Sequence, residues 1–334
     1  MKPEFRIVAD GADITPLISD RLVELQLTDK PGLESDTFQI TIDDRDGAVS
    51  LPRRGAALEV LLGYAGAPLT RMGRYVVDTL TFSGAPDSLV IKGKSGDMRG
   101  QGKASRSWSW ENVSLAGIVA DLAARNGWRA ACDVATVVVR AEQIRESDFH
   151  FITRLARQYD CTAKMANNSL LVQPRQAGRS SSGQALEVPV LGRGDVGSFR
   201  FTLDDRRVVS AVVVPYRASD GVQRQVRVAN ADAPSQVKAE HCDRHLQPDE
   251  ATARQVAASR LAEFNRNSAQ VQLSMPGRAD LFAELTIDLQ GFKTGLDGRY
   301  LIDSVTHQYS ASGWTTSVQC NGGAQGKGKA GEDG

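Results

Sequence analysis

A chain of 334 residues is long enough for two or three domains, each with its own core. Its 40 Lys and Arg balance its 40 Asp and Glu, so it lacks the basic excess that grips phosphate backbones, which argues against nucleic acid as a principal partner. No window approaches the ~20 apolar residues of a bilayer span, residues 1–10 carry no apolar signal core, and Cys132, Cys161, Cys242 and Cys320 form no paired metal-binding pattern. The expectation is a chain made in the cytoplasm with free thiols and no membrane partner. Arginines cluster over residues 193–227, but Asp195, Asp204, Asp205 and Asp220 interrupt them, as on a solvated strand face.

Residues 1–102 read as a run of strands. Over 37–43, Phe38, Ile40 and Ile42 alternate with Thr37, Gln39, Thr41 and Asp43, the period of a half-buried strand. Similar runs fall at 5–9, 22–28, 58–62, 74–82 and 89–92, separated by Gly, Pro and Asp clusters. Short strands at this spacing predict a small sandwich or closed barrel. Over 103–178 the period changes. Ser114 can cap a helix over 115–126, with Leu115, Ile118, Val119 and Leu122 on one stripe and Gly127 as its stop. A second helix is predicted from Ser147 or Asp148 to Tyr159, then strands at 162–166 and 169–173 turning at Asn167-Asn168, making an α/β insert. Residues 175–184 read as a loop. A second β domain is predicted over 186–322, with strands at 208–214, 223–228, 270–275, 284–289, 300–309 and 315–320 and one helix over 250–265. Residues 323–334 are Gly- and charge-rich and predicted to be disordered.

The two β regions are written alike. Gly73-Arg74-Tyr75-Val76-Val77-Asp78-Thr79-Leu80-Thr81 returns 225 positions later as Gly298-Arg299-Tyr300-Leu301-Ile302-Asp303-Ser304-Val305-Thr306, with five of the nine positions identical. Upstream, Phe38-Gln39-Ile40-Thr41-Ile42 with Arg45 parallels Val271-Gln272-Leu273-Ser274-Met275 with Arg278. Between each pair lies an apolar run ending in Gly plus an aromatic, 58–64 and 285–292. The chain therefore reads as one β domain duplicated, too long a unit for a solenoid repeat.

No motif carries convincing chemistry. Gly93-Lys94-Ser95 would end a phosphate-binding loop only with Gly at 88, where Ser88 stands. Asp43-Asp44-Arg45-Asp46-Gly47, aligned as a calcium loop, puts Ile42 at the first ligand position and Arg53 at the bidentate one; turn carboxylates accepting backbone hydrogen bonds fit better. His241, Cys242 and His245 have metal-ligand spacing, but no further ligand is near in sequence and Pro248 argues for a loop. Hydrolase signatures such as Gly-x-Ser-x-Gly and His-Glu-x-x-His are missing, and no carboxylate pair stands out as glycan-cleaving. Trp108 and Trp110 read equally as interface aromatics or as a packed hinge. No catalytic, cofactor-binding or metal residue is assigned.

Three blocks in order resemble the late control protein D family, the baseplate hubs of contractile phage tails and R-type pyocins, and the N-terminal region of type VI secretion spike proteins. They are Ser35-Asp36-Thr37-Phe38-Gln39-Ile40-Thr41-Ile42-Asp43-Asp44-Arg45-Asp46, with Gly55 and Met72-Gly73-Arg74-Tyr75; Glu146-Ser147-Asp148-Phe149-His150-Phe151-Ile152-Thr153-Arg154-Leu155-Ala156; and residues 298–307 ending in Gly313-Trp314-Thr315-Thr316. The likeness spans residues 4–320. It implies an α+β, mainly β fold with two related tail-tube-like β-barrels, over 1–102 and 186–322, around the insert. It also implies a non-enzymatic homotrimer, made in the bacterial cytoplasm and carried in a phage tail or pyocin particle. Such a trimer would adapt a hexameric tail tube or tube initiator to a trimeric central spike, near the tape measure and other baseplate proteins. Secretion spikes continue into an oligonucleotide-binding-like domain and a needle, whereas this sequence stops after the second β domain, so the spike is expected to be a separate protein. The rival readings are a tail-tip cell-wall hydrolase and a secretion spike component; a late-gene regulator binding DNA fits poorly with zero net charge.

Overall fold

The computed structural model describes residues 1–327 apart from 34–35, 96–101, 103, 167–168, 177, 179–183 and 205–207. The first repeat comprises β1 (Pro3–Ala9), β2 (Ala12–Asp13), the short helix α1 (Thr15–Ile18), β3 (Leu22–Asp29), β4 (Thr37–Asp43), β5 (Ala57–Tyr64), β6 (Thr70–Ser83) and β7 (Ser88–Ser95). Its strands pair antiparallel in the order β3-β4-β7-β6-β5-β1-β2. Alternation in β4 does what it predicts: Phe38, Ile40 and Ile42 are buried against Leu25, Leu58 and Tyr75 in one core.

The insert follows as β8 (Ser105–Ser114), α2 (Leu115–Asn126), β9 (Arg129–Cys132), β10 (Val137–Ser147), α3 (Asp148–Gln158), β11 (Cys161–Ala166) and β12 (Ser169–Pro174). Ser114 accepts a hydrogen bond from Gly117 N to open α2, and Gly127 ends it in the left-handed region at φ 70°. Ser147 caps α3 by accepting from His150 N. The apolar stripes of both helices meet in a separate core around Ile118, Leu122, Phe151 and Leu155. The Asn167-Asn168 turn falls outside the described residues, as does most of the 175–184 loop.

The remainder comprises β13 (Val190–Gly192), β14 (Ser198–Leu203), β15 (Ala211–Arg217), β16 (Gln223–Ala229), β17 (Glu240–Cys242), α4 (Glu250–Arg266), β18 (Ala269–Pro276), β19 (Thr286–Gln290), β20 (Gly298–Ser310) and β21 (Gly313–Asn321). The strands at 208–214 and 223–228, expected in the second β domain, leave it. β15 pairs β16 and β17 in a sheet of its own, and α4, capped by Asp249, closes a separate core on Val212, Val214 and Tyr216. What remains repeats six of the first unit's seven strands, in the order β14-β18-β21-β20-β19-β13, with no counterpart of β2 among the described residues.

Register is duplicated along with order. Phe38 faces Gly93 where Val271 faces Cys320, and Leu58 faces Tyr75 where Ile287 faces Tyr300. Even the irregularity recurs: the β6–β7 ladder slips between Val77 and Thr79, and the β20–β21 ladder slips between Ile302 and Ser304. The extra residue is Asp78 in one copy and Asp303 in the other, a β-bulge at the same place. One pairing differs, since β1 runs antiparallel to β5 whereas β13 runs parallel to β19.

The two closed barrels implied by the family resemblance are not formed. Among the described residues no sheet closes on itself; one open 13-stranded sheet runs through both repeats instead. A barrel requires the terminal strands of one copy to meet. Here β3, the strand that would close the first copy, gives its second edge to β20 of the other copy. The fold is mainly β with α+β character. Residues 323–327, read as the start of a disordered tail, are tied back: Ala324 N donates to Gln176 Oε1 and Lys327 N to Ser268 Oγ.

The repeat junction as candidate assembly site

The long strand β20 splits its outer edge. Its first half, 298–301, pairs β19; its second half, 305–310, pairs β3 of the first repeat. At that seam His307 faces Leu27 and Tyr309 faces Leu25, while Thr28 and Thr306 bring their hydroxyls to 3.4 Å. Side chains then cross the seam. Trp314 is buried in the first repeat's core and lies 5.3 Å from the Tyr64 ring; Tyr309 meets Phe5 edge-on at 5.1 Å. Tyr64 Oη donates to Gly277 O at 3.0 Å and Tyr309 Oη to Pro3 O at 3.2 Å. Gly277 is obligatory by space alone, since a Cβ there would stand 1.9 Å from the Trp314 ring. His307 sits under the seam, 3% exposed, with Nδ1 3.0 Å from Thr316 Oγ1. Burial holds its imidazole neutral, pushing its pKa down to about 4 against the pull of Asp29 and Asp280.

Beside the seam a polar node ties the insert to both repeats. Lys164 of β11 places Nζ 3.1 Å from Asp29 Oδ1 and 3.7 Å from Asp36 Oδ1. Asp29 Oδ2 accepts Ala283 N of the second repeat at 2.7 Å, and Glu284 Oε1 accepts Thr162 Oγ1 at 2.9 Å. Burial raises Asp36 to about 7, Lys164 opposing and Asp29 adding to the rise. Burial also works against an ionised Asp29, but Lys164, Asp36 and Ala283 N together hold its carboxyl below the ordinary range. Lys164 keeps 37% of its side chain exposed, and although burial works against its charge, Asp29 and Asp36 hold the ammonium above the ordinary lysine range. Lys164 sits in a strand whose alternation marks faces only, and nothing in its neighbourhood in sequence points to Asp29 or Glu284.

The motifs weighed in the sequence lie elsewhere. Gly93-Lys94-Ser95 ends β7, inside the sheet, with the Val76 carbonyl oxygen 2.8 Å from where a Gly93 Cβ would be. The 43–47 carboxylates cap their own turn: Asp43 Oδ1 accepts Arg45 N, Asp44 Oδ1 accepts Val49 N, and Asp46 pairs with Arg21. His241 meets Phe264 at a tilt, with ring centroids 4.9 Å apart, and His245 reaches Asp243 at 3.2 Å. No group of three His, Cys, Asp or Glu able to hold a metal ion exists among the described residues. Trp110 is core, stacked on Phe151 at 4.8 Å with its Nε1 donating to Asp121 at 2.9 Å, whereas Trp108 is exposed under Arg125. The charged cleft between α3 and α4 is lined by residues paired with one another, Arg266 with Asp160 and Arg260 with Glu263.

Two copies of one sheet, fused edge to edge and locked by buried aromatics and a polar node, define a structural assembly protein. The chain belongs to the phage tail baseplate hub (GPD) family, whose model matches residues 31–313. It is 29% identical, over 360 aligned positions, to the probable baseplate hub protein of Escherichia phage 186, covering 96% of this chain and 92% of that protein. In fold it is similar to the tail protein from Neisseria meningitidis MC58, with a TM-score of 0.71, 11% identity and 99% of each chain covered. It is also similar to the E. coli c3393 protein, a component of the type VI secretion system, with a TM-score of 0.57, 12% identity, and 90% of this chain and 73% of that one covered. The chain is thus a structural component of a phage-type tail baseplate.

Proposed function

We propose that three copies of this chain form a ring that adapts a hexameric tail tube to a trimeric central spike. The supporting observation is the duplicated strand order and register, down to the shared bulge at Asp78 and Asp303. Closed assemblies must match interface for interface. Three chains, each carrying two near-equivalent sheets, offer six similar faces on one side and keep threefold identity on the other. The differences between copies, such as β1 against β13, fit such divergence. The three units, residues 1–102, 103–178 and 186–322, are part of the same proposal, and limited proteolysis of the full chain should cut first between them. Contacts in the obligate range, above ~2,000 Å², make the trimer persist at micromolar concentration. Native mass spectrometry should give three times the 36.0 kDa chain mass, and immobilised trimer should retain purified tube and spike proteins. A single-chain mass at micromolar concentration, with neither partner retained, would defeat the proposal.

A further inference from the structure

The seam inside the chain describes a second seam that a single chain leaves open. β3 of the first repeat corresponds to β14 of the second, because Leu27 faces Phe38 where Phe201 faces Val271. β20 corresponds to β6. Within the chain, β3 lies along the second half of β20. The matching pair, β14 and the second half of β6, does not meet: among the described residues β14 pairs only β18, and the pairing of β6 with β5 ends at Val76.

Exposure follows the same logic. Where β20 buries Val305 and His307, β6 leaves Leu80 half-buried and Phe82 55% exposed. Where β3 buries Leu25 and Leu27 completely, β14 leaves Phe199 42% exposed and Phe201 half-buried. Two unsatisfied edges carrying exposed phenylalanines on a soluble sheet call for cover.

We propose that β14 of one chain pairs antiparallel with the free half of β6 in a second copy of this chain, reproducing the β3–β20 seam between molecules. The register is fixed by correspondence: Leu80 opposite Leu203, Thr81 opposite Thr202, Phe82 opposite Phe201 and Ser83 opposite Arg200. Phe82 and Phe201 take the places of His307 and Leu27, and Thr81 and Thr202 those of Thr306 and Thr28. The joint is head to tail, and with a rotation that closes after three chains its repetition gives the proposed ring rather than a filament. This inference rests on the proposed closed trimer and assigns the strands that close it.

The test uses full-length protein in a Cys242→Ser background, which removes the exposed native thiol. Thr81→Cys with Thr202→Cys should give, on mild oxidation, a covalent ladder ending at three chains. Thr28→Cys with Thr306→Cys is the internal control and should close within one chain, its hydroxyls standing 3.4 Å apart in the parent. Thr81→Cys with Arg200→Cys, two residues out of register, should stay open. Phe82→Lys, at a position exposed in the single chain, should lower the native mass to one chain while far-UV circular dichroism keeps the parent's strand signal. A persistent oligomer with a closed internal control and no intermolecular link would overturn this register while leaving the trimer standing. Dimers from Thr202→Cys alone would replace it with a β14–β14 joint. A parent chain that is monomeric, with no link formed, would remove the trimer and this seam together.

Discussion

His307 makes stability depend on pH in a way that one substitution isolates. Its folded pKa lies near 4 against an ordinary 6.5, so between those values the unfolded chain binds a proton that the folded chain refuses. The sign follows: the contribution is complete above about pH 6.5 and is lost as pH falls toward 4. Converted at 1.36 kcal/mol per pH unit, the full span is roughly 3 kcal/mol, with little solvent screening because the residue is 3% exposed. The first repeat uses Phe82 at the corresponding position, so His307→Phe keeps an aromatic ring and removes the titration. It also removes the contact with Thr316 Oγ1, a cost of about 1 kcal/mol that does not vary with pH in this range. Urea unfolding of both proteins at pH 7.5, 6, 5 and 4.2 reads the difference directly. The variant should be slightly less stable at pH 7.5 and more stable than the parent by pH 4.2, the curves crossing between. Groups that do not feel the imidazole charge titrate alike in both proteins and cancel, leaving His307 with its neighbours Asp29 and Asp280. A difference that stays constant across the series would refute a buried neutral imidazole at the seam.

Asp36 runs the other way. Its raised pKa makes ionisation unfavourable in the folded chain, a burden that grows as pH rises from about 4 through about 7; Asp36→Asn should therefore raise the melting temperature at pH 8 and leave it nearly unchanged at pH 4. Gly277→Ala drives a methyl group into Trp314 and should cost about 1–3 kcal/mol by overpacking, whereas Gly194→Ala, with open space around it, should be neutral by the same thermal assay. Ser114→Ala and Ser147→Ala remove the caps of α2 and α3 and should each cost about 1 kcal/mol, visible as faster amide exchange in the first turn of each helix.

Local signals in the sequence were sufficient for local structure. The helix over 115–126 ends where Ser114 and Gly127 say it must, and β4 occupies residues 37–43 as its alternation requires. The duplication was legible to the residue, because identical spacing around Asp78 and Asp303 reflects the same bulge. Pairing was not. Period-two alternation states which side chains share a face and is silent on which strand lies along which edge, so nothing in 298–310 announces that half of β20 serves β3. Alternation alone fits two closed barrels as well as one open sheet, and the β3–β20 pairing decides for the sheet. The separate core under α4 was hidden similarly, since Val212 and Val214 read as strand residues wherever they pack. Lys164, Asp29 and Glu284 come from three distant stretches, and only the folded chain assembles them.

Trp314 belongs by sequence to one repeat and by packing to the other. A fragment ending before it would lack one wall of its own interior, however complete its strands. Tail genes that exchange segments by recombination would therefore inherit this pair as a single heritable block, with crossovers tolerated at its flanks and selected against within it.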